Sequence, residues 1–261
     1  MRLPVRPRWI VLAVLVVFVS VGCAILGFWQ LDRLEERRSA NTVIRSRLGA
    51  EPVPMQLLLD ALQPQEGLEV DPADYEYTRV RTAGVLTDEG RVLVRSHVVD
   101  GQAGVHVVFP LDLGEGNGVL VNVGWFPIGV DPAPAAELYG PDGRIELLGF
   151  LRADQQRPAL GRREPEGWLE TVARIDVGRI QQQVGVELLP FWIQLIEPND
   201  PGRLPVPLPA PELDERSHLS YAVQWFSFGL IALLGYVALM RKELKSVVPT
   251  RVEERRPRDR G

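Results

Sequence analysis

A single cysteine, Cys23, lies among the 261 residues, and it falls inside an apolar run. No disulfide framework, CxxC metal site or c-type haem attachment motif can form within this chain. Histidine is nearly as scarce, at three residues, and lysine is confined to Lys242 and Lys245, with arginine supplying the rest of the positive charge. No P-loop, nucleophile elbow, HExxH pair or EF-hand loop occurs. The stretch "GEGNG" at 114–118 is not a dinucleotide fingerprint and opens no helix; it reads as a hairpin turn. Thirty acidic side chains lie between residues 30 and 217. Without a defined spacing they read as solvated surface rather than as a glycosidase-like pair. No enzyme activity and no nucleic-acid partner are expected.

What the chain does have is two long uncharged runs near its ends. Residues 10 to 28, "IVLAVLVVFVSVGCAILGF", and residues 219 to 240, "LSYAVQWFSFGLIALLGYVALM", carry no formal charge. A helix of about nineteen residues just crosses a hydrocarbon core of about 30 Å. Trp9, Trp29, Tyr221 and Trp225 stand at or near the ends, as interfacial aromatics do. A cleaved signal peptide would need a shorter apolar core and a small-residue cleavage site. A lipoprotein would need a leucine ahead of Cys23, where "SVG" stands. An uncleaved anchor is the better reading.

Charge sets the expected orientation. Residues 1–8 carry Arg2, Arg6 and Arg8 and no acid, and the tail from Arg241 has eight basic against four acidic side chains. The middle, 30–217, has eighteen basic against thirty acidic. Arg33, Arg37 and Arg38 blur the positive-inside count at the first span, whereas Arg241, Lys242 and Lys245 oppose mainly Arg216 at the second. The expectation is a two-pass protein of the plasma membrane with lipid around both spans. Residues 1–9 form a cytoplasmic N-terminus, 10–28 and 218–240 the transmembrane helices, 29–217 an extracytoplasmic β-rich domain and 241–261 a disordered cytoplasmic tail.

Within the middle segment, helical composition continues from the first span to about Leu48, and "MQLLLDAL" suggests a further short helix. From Tyr75 onward, apolar β-like runs alternate with turn residues, predicting strands near 77–86, 91–98, 105–112, 118–127, 144–151 and 191–196. "DVGRIQQQVG" reads as a short helix capped by Asp176. Residues 198–211 hold six prolines, which favour a stiff polyproline spacer leading back to the membrane. The predicted fold class is membrane-anchored α+β: two transmembrane helices flanking an antiparallel β-rich domain, as a small sheet or a partly closed barrel.

Of the histidines, His97 and His106 fall in strand-like runs, where a surface or hydrogen-bonded imidazole is the ordinary case. His218 immediately precedes the second span. On a helix it shares a face with Ala222, Trp225, Gly229 and Ala232. Small residues there would let something flat approach an imidazole that can ligate haem iron. A small-residue stripe in a membrane helix more often packs another helix, and Gly22 and Gly27 of the first span would suit that contact. Spacing alone favours helix packing.

Four motifs in order resemble the surfeit locus protein 1 family of cytochrome c oxidase assembly factors. Gly27, Trp29, Gln30 and Arg33 resemble its "LGxWQxxR" signature; "YTRVRTAGVL" resembles its "Y-x-x-V-x-x-x-G" segment. "GVHVVFPL" with "VLVNVGWFP" is similar to its "G-x-x-V-x-x-PL…VLVNRGWVP" hairpin, and "HLSYAVQWFSFGL" to its "HLxYAxxWFxxA" helix entry. Val123 stands where the family commonly has arginine and Phe126 where it has a smaller residue, so any anionic contact made by that arginine does not carry over. The resemblance implies an assembly factor for haem–copper oxidase that binds haem a transiently and assists its insertion into the catalytic subunit. His218 would be the iron ligand, with Tyr221 and Trp225 lining the macrocycle and Arg33 meeting a propionate; Trp29 would anchor the helix and Gln30 offer an amide. Oxidase subunit I and haem A synthase are the implied partners. The alternative is a membrane-tethered interaction module that stabilises an oxidase subunit without haem.

Overall fold

The computed structural model describes residues 7–61, 71–99, 101–155, 164–198, 203–211, 213–214 and 217–247. Two compact units result. One is built from residues 1–41 and 213–261, the other from 42–212.

The first unit holds a pair of long helices, α5 (His218–Val247) and α1 (Pro7–Gly49) up to Asn41, the last eight residues of α1 falling in the second unit. Both are long and apolar enough to cross a membrane. At 1.5 Å per residue, α1 is about 64 Å long, about twice a hydrocarbon core. It runs on without a break through the charged stretch after Phe28, as its helix-forming Leu, Glu and Arg content predicts. Its buried positions, Cys23, Gly27, Leu34 and Asn41, fall four and seven residues apart, the period of a helix that packs along a single seam.

The second unit contains α2 (Met55–Ala61), α3 (Ala135–Tyr139), α4 (Val177–Ile180) and eight strands. The strands are β1 (Val53–Pro54), β2 (Arg79–Leu86), β3 (Val92–Val99), β4 (Gln102–Gly114), β5 (Asn117–Pro127), β6 (Arg144–Ala153), β7 (Thr171–Val172) and β8 (Glu187–Glu197). The six runs expected from the sequence all form strands, and the two-residue β1 and β7 are additional. Asp176 caps α4 by accepting from the Arg179 amide, as expected.

Strand order is β1-β2-β6-β8-β5-β4-β3-β7, and a further β2–β4 pairing joins Val85 to Asp112 and Leu86 to Leu111. That pairing closes β2, β6, β8, β5 and β4 into a barrel. The closure removes the free edges that an open sheet would expose. The expected antiparallel arrangement needs correction, because β5 and β8 run parallel, as do β1–β2 and β3–β7. Strand β6 and a long connection separate β5 from β8 in the chain. A crossover of that length allows parallel pairing, whereas short hairpin loops cannot.

Two hydrophobic cores lie on opposite faces of the barrel wall. Val107, Phe109, Val119, Val121, Phe191 and Ile193 fill the interior, with Met55 and Leu58 of α2 against it. The alternating neighbours Val108, Leu120 and Trp192 face outward into a second core with Ile175, Val177 and Ile180. Strands β4, β5 and β8 are therefore buried on both faces, which explains why "GVLVNVGWF" reads as a nearly continuous apolar run. The β4–β5 turn is "GEGN", with Gly114, Glu115 and Gly116 all at positive φ and the Gly114 amide held by Asp112. Residues 114–118 thus make the hairpin, as read.

The Pro-rich segment differs from expectation. Beyond Asn122, β5 has no partner in β8, and its vacated side is taken by Val206. The Trp125 and Val206 backbones exchange hydrogen bonds of 2.7 and 2.8 Å. Gln194 donates to the Leu208 and Pro209 carbonyls. The described part, 203–211, is thus a strap laid on the barrel rather than a free spacer. An unpaired strand end outcompeted the intrinsic preference of proline for isolated extended chain. The tail beyond Val247 lies outside the described residues.

Candidate functional site

The helix pair is antiparallel, since its contacts descend α5 as they ascend α1. Trp9 meets Tyr236, Ser20 meets Gly229, Gly27 meets Phe226 and Gln30 meets His218. Small residues make this approach possible. A Cβ on Gly27 would lie 2.6 Å from the Phe226 ring, and one on Gly229 would lie 3.3 Å from Cβ of Cys23. Ala222 is fully buried. Ser20 Oγ donates to the Gly229 carbonyl at 3.2 Å, and Phe226 meets Phe28 edge-on at 5.3 Å.

Of the face of α5 predicted from spacing, His218 and Gly229 meet α1 and Ala222 is buried. Ala222 and Gly229 do not form an open groove for a flat molecule. Helix packing, the reading favoured by spacing alone, accounts for them.

His218 itself ends the seam. It is half-buried, and its Nδ1 lies 2.8 Å from Oε1 of Gln30. An amide oxygen only accepts, so Nδ1 donates in this bond and Nε2 takes no part in it. A carbonyl on the far nitrogen is a usual way proteins orient an imidazole for a metal. Sequence reasoning named both residues but not their bond. Gln30 belongs to the α1 seam and His218 to the α5 seam, which only the helix register reveals.

The remaining candidates stand differently. Tyr221 and Trp29 are about half exposed, and Trp225 is partly buried and meets Phe228 edge-on at 6.1 Å. Arg33 makes its contacts along its own helix. Its guanidinium pairs with Glu36 at 2.6 Å and lies 5.7 Å from the centre of the Trp29 ring. The described contacts join Gln30 to His218 but bring no arginine to them. Phe226, Phe28 and Ser20 were missed as seam residues; Phe226 lies eight positions beyond His218, a spacing that was available as a signal.

Farther along α1, Asn41 is buried and donates to the Asp214 carbonyl at 3.1 Å. Among the described residues no cluster of three or more His, Cys, Asp or Glu is arranged to hold a metal ion. Any metal at this site would rest on His218 and on donors it brings with it. His106 is half-buried in β4, opposite Val94 and Trp125; the side chain of His97 lies outside the described set.

Comparison with known proteins agrees with the sequence motifs. The profile of the SURF1 family matches residues 17–230. An uncharacterized SURF1-like protein of Mycobacterium bovis is 32% identical over 235 residues, covering 88% of this chain and 82% of that protein. A SURF1-like protein of the eukaryote Monosiga brevicollis is 27% identical, covering 83% of each chain. One from Rickettsia felis is 24% identical, covering 87% of this chain and 96% of that one.

Proposed function

The chain belongs to the SURF1 family, whose members are generally cytochrome oxidase assembly factors rather than enzymes, and from that premise we propose that it holds haem a transiently and assists its insertion into oxidase subunit I. The observation that carries this reading is the 2.8 Å bond between Gln30 and His218. With Nδ1 donating to Gln30, Nε2 would be the nitrogen left to hold haem iron. Haem, if bound, would supply an iron for His218 to ligate. The chain's own residues orient the ring and hold its proton on Nδ1, and Gln30 keeps that proton in place. Tyr221 and Trp225, on the same part of α5, offer aromatic surface to the macrocycle. Arg33 offers a cation to a propionate once it leaves Glu36. Haem A synthase is the natural donor partner.

Two apolar helices at the termini fit a two-pass membrane protein. The proposed topology follows the charge: both termini cytoplasmic, residues 29–217 outside, in the plasma membrane. The aromatic rings at Trp29 and Tyr221 then stand at the outer interface, and His218 with them.

A second reading has its own support. The small residues below His218 are filled by α1, so the helix pair is a complete packing unit without a ligand. In this reading the barrel docks on an oxidase subunit and the helices tether it.

Absorption spectroscopy separates the two. Protein purified in mild detergent from cells making haem A should show a haem band, which His218→Ala removes and Gln30→Leu weakens and shifts. A colourless wild-type preparation would leave the tether reading. Deletion in the native host should lower the a-type cytochrome signal of membranes and spare the b-type signal; an unchanged a-type spectrum would remove the oxidase role.

A further inference from the structure

The inner face of α1 is one line of residues: Cys23, Gly27, Gln30, Leu34, Arg37 and Asn41, at alternating steps of four and three. Cys23, Gly27, Leu34 and Asn41 are buried, and Gln30 and Arg37 are half-buried. This is the spacing of a heptad seam. Its chemistry changes along its length. Where α5 lies against it the line is small, with Gly229 beside Cys23 and the Phe226 ring over Gly27. At Gln30 it meets His218, the first residue of α5. Beyond that point the line turns to side chains that donate. Arg37 Nε donates to the Asp214 carbonyl at 3.4 Å, and Asn41 Nδ2 donates to the same oxygen at 3.1 Å. The Arg37 guanidinium also lies 3.9 Å from the Asp214 carboxylate.

The change has a physical reason. A helix spends its carbonyls on its own amides, so a neighbouring helix needs only to be small enough to approach. A chain leading into a helix lacks those internal partners, and its backbone groups must find donors elsewhere. Asn41 is only 4% exposed, so water does not readily take its place as the donor. Arg37 is less covered and its bond is longer, which makes Asn41 the stronger of the two.

Reach links this clamp to His218. From Gln30 to Asn41, α1 rises about 16 Å. His218 lies four residues after Asp214, and four residues span at most about 14 Å. The side chains of Gln30 and Asn41 cover the difference, and little slack is left. The first turn of α5 is thus held between two fixed points, the small-residue seam on one side and the Asp214 carbonyl on the other. We propose that Asn41, with Arg37 as its second, is a positioning residue: its bond to the Asp214 carbonyl holds the entry of α5 so that the His218 imidazole stays against Gln30. What the positioning serves rests on the haem reading, since an iron ligand must be held in place before iron arrives; the contact itself does not.

The test uses full-length protein in mild detergent, without haem, carrying isotope-labelled histidine. The ring-nitrogen NMR signals of His218, identified by their loss in His218→Ala, report its contact with Gln30, and Gln30→Leu should move them. Asn41→Leu keeps a similar volume and removes the donor. It should move the signals in the same direction and cut the population in contact about fivefold, the worth of one hydrogen bond. Arg37→Gln should have a smaller effect, about twofold. Asn41→Gln, which keeps an amide donor, should restore much of the contact. A Gly229→Cys background supplies the control, because its new Cβ lies 3.3 Å from that of Cys23. The crosslink between them should form as readily with Asn41→Leu as without it, showing the seam intact. Signals unmoved by Asn41→Leu, or by Gln30→Leu, would overturn the proposal. So would Asn41→Gln behaving like Asn41→Leu. Loss of the crosslink would make Asn41 a support of the whole helix pair and would overturn it too. A wild-type haem band left unaltered by Asn41→Leu, with His218 displaced, would support the clamp and count against the haem reading alone.

Discussion

The helix pair and the barrel reach stability by opposite routes. In the barrel, large aliphatic and aromatic side chains are buried on both faces of one wall: Phe109 and Phe191 inward, Leu120 and Trp192 outward. Water exclusion drives that assembly. Within the uncharged spans of the helix pair the buried residues are Cys23, Gly27, Ala222 and Gly229, while Val14, Phe18, Val21, Leu230 and Leu234 are exposed. A seam of small residues and a few hydrogen bonds along these spans fits the proposed lipid setting, where helices gain nothing from hiding leucine. Polar side chains mark the difference as well. The barrel uses them to bind strap and wall together, through Gln194 to the Leu208 and Pro209 carbonyls. The helix pair concentrates them at its end, where Gln30 meets His218.

The contrast can be broken at either side. Phe191→Ala should have the largest effect, destabilising the barrel by about 3–5 kcal/mol because both a ring and its cavity are lost at a fully buried site. Urea unfolding followed by tryptophan fluorescence measures it. Gly27→Leu should force the helices apart at Phe226, costing about 1–3 kcal/mol of pairing and sparing the barrel transition. A disulfide reports this directly. Cysteine at 229 places its Cβ 3.3 Å from that of Cys23, close to disulfide range. Gly229→Cys should therefore crosslink under mild oxidation, and adding Gly27→Leu should abolish the crosslink. Retention of that crosslink would show the seam to be less dependent on small residues than argued.

Arg152→Ala comes next. The Arg152 guanidinium pairs with Glu76 at 3.2 Å, donates to Gln194 at 2.8 Å, and lies over the Tyr77 and Trp192 rings at 4.6 and 5.3 Å. Removing it should cost the barrel about 2 kcal/mol and leave the helix pair untouched. The smallest effect is at Asp154. Burial raises its pKa, with the Asp176 carboxylate adding to the shift and the Val177 amide opposing it. The folded state then holds the proton more tightly than the unfolded state. Barrel stability should rise as pH falls from above the raised value toward the ordinary aspartate range. Asp154→Asn keeps an oxygen for the Val177 amide and should flatten that acidic limb in a series of melting curves. A steeper fall in stability on acidification, unchanged by the substitution, would contradict the assignment.

Much of the fold was legible because its signals are local. Apolar run length gave α1 and α5, alternation and turn residues gave six strands, and an aspartate before an apolar turn gave the cap of α4. What the chain alone determined is the inventory: two uncharged spans, a β-rich middle, and His218 and Gln30 at the rims of the spans. These depend on side-chain chemistry within a few residues. Tertiary structure decided which strand lies beside which. It paired β5 parallel to β8 and closed the barrel through β2 and β4. It turned a proline-rich spacer into a strap and set the helix register that brings Gln30 to His218. Each of those depends on groups far apart in sequence competing for the same unpaired hydrogen bonds or the same buried space, and no local pattern records the winner.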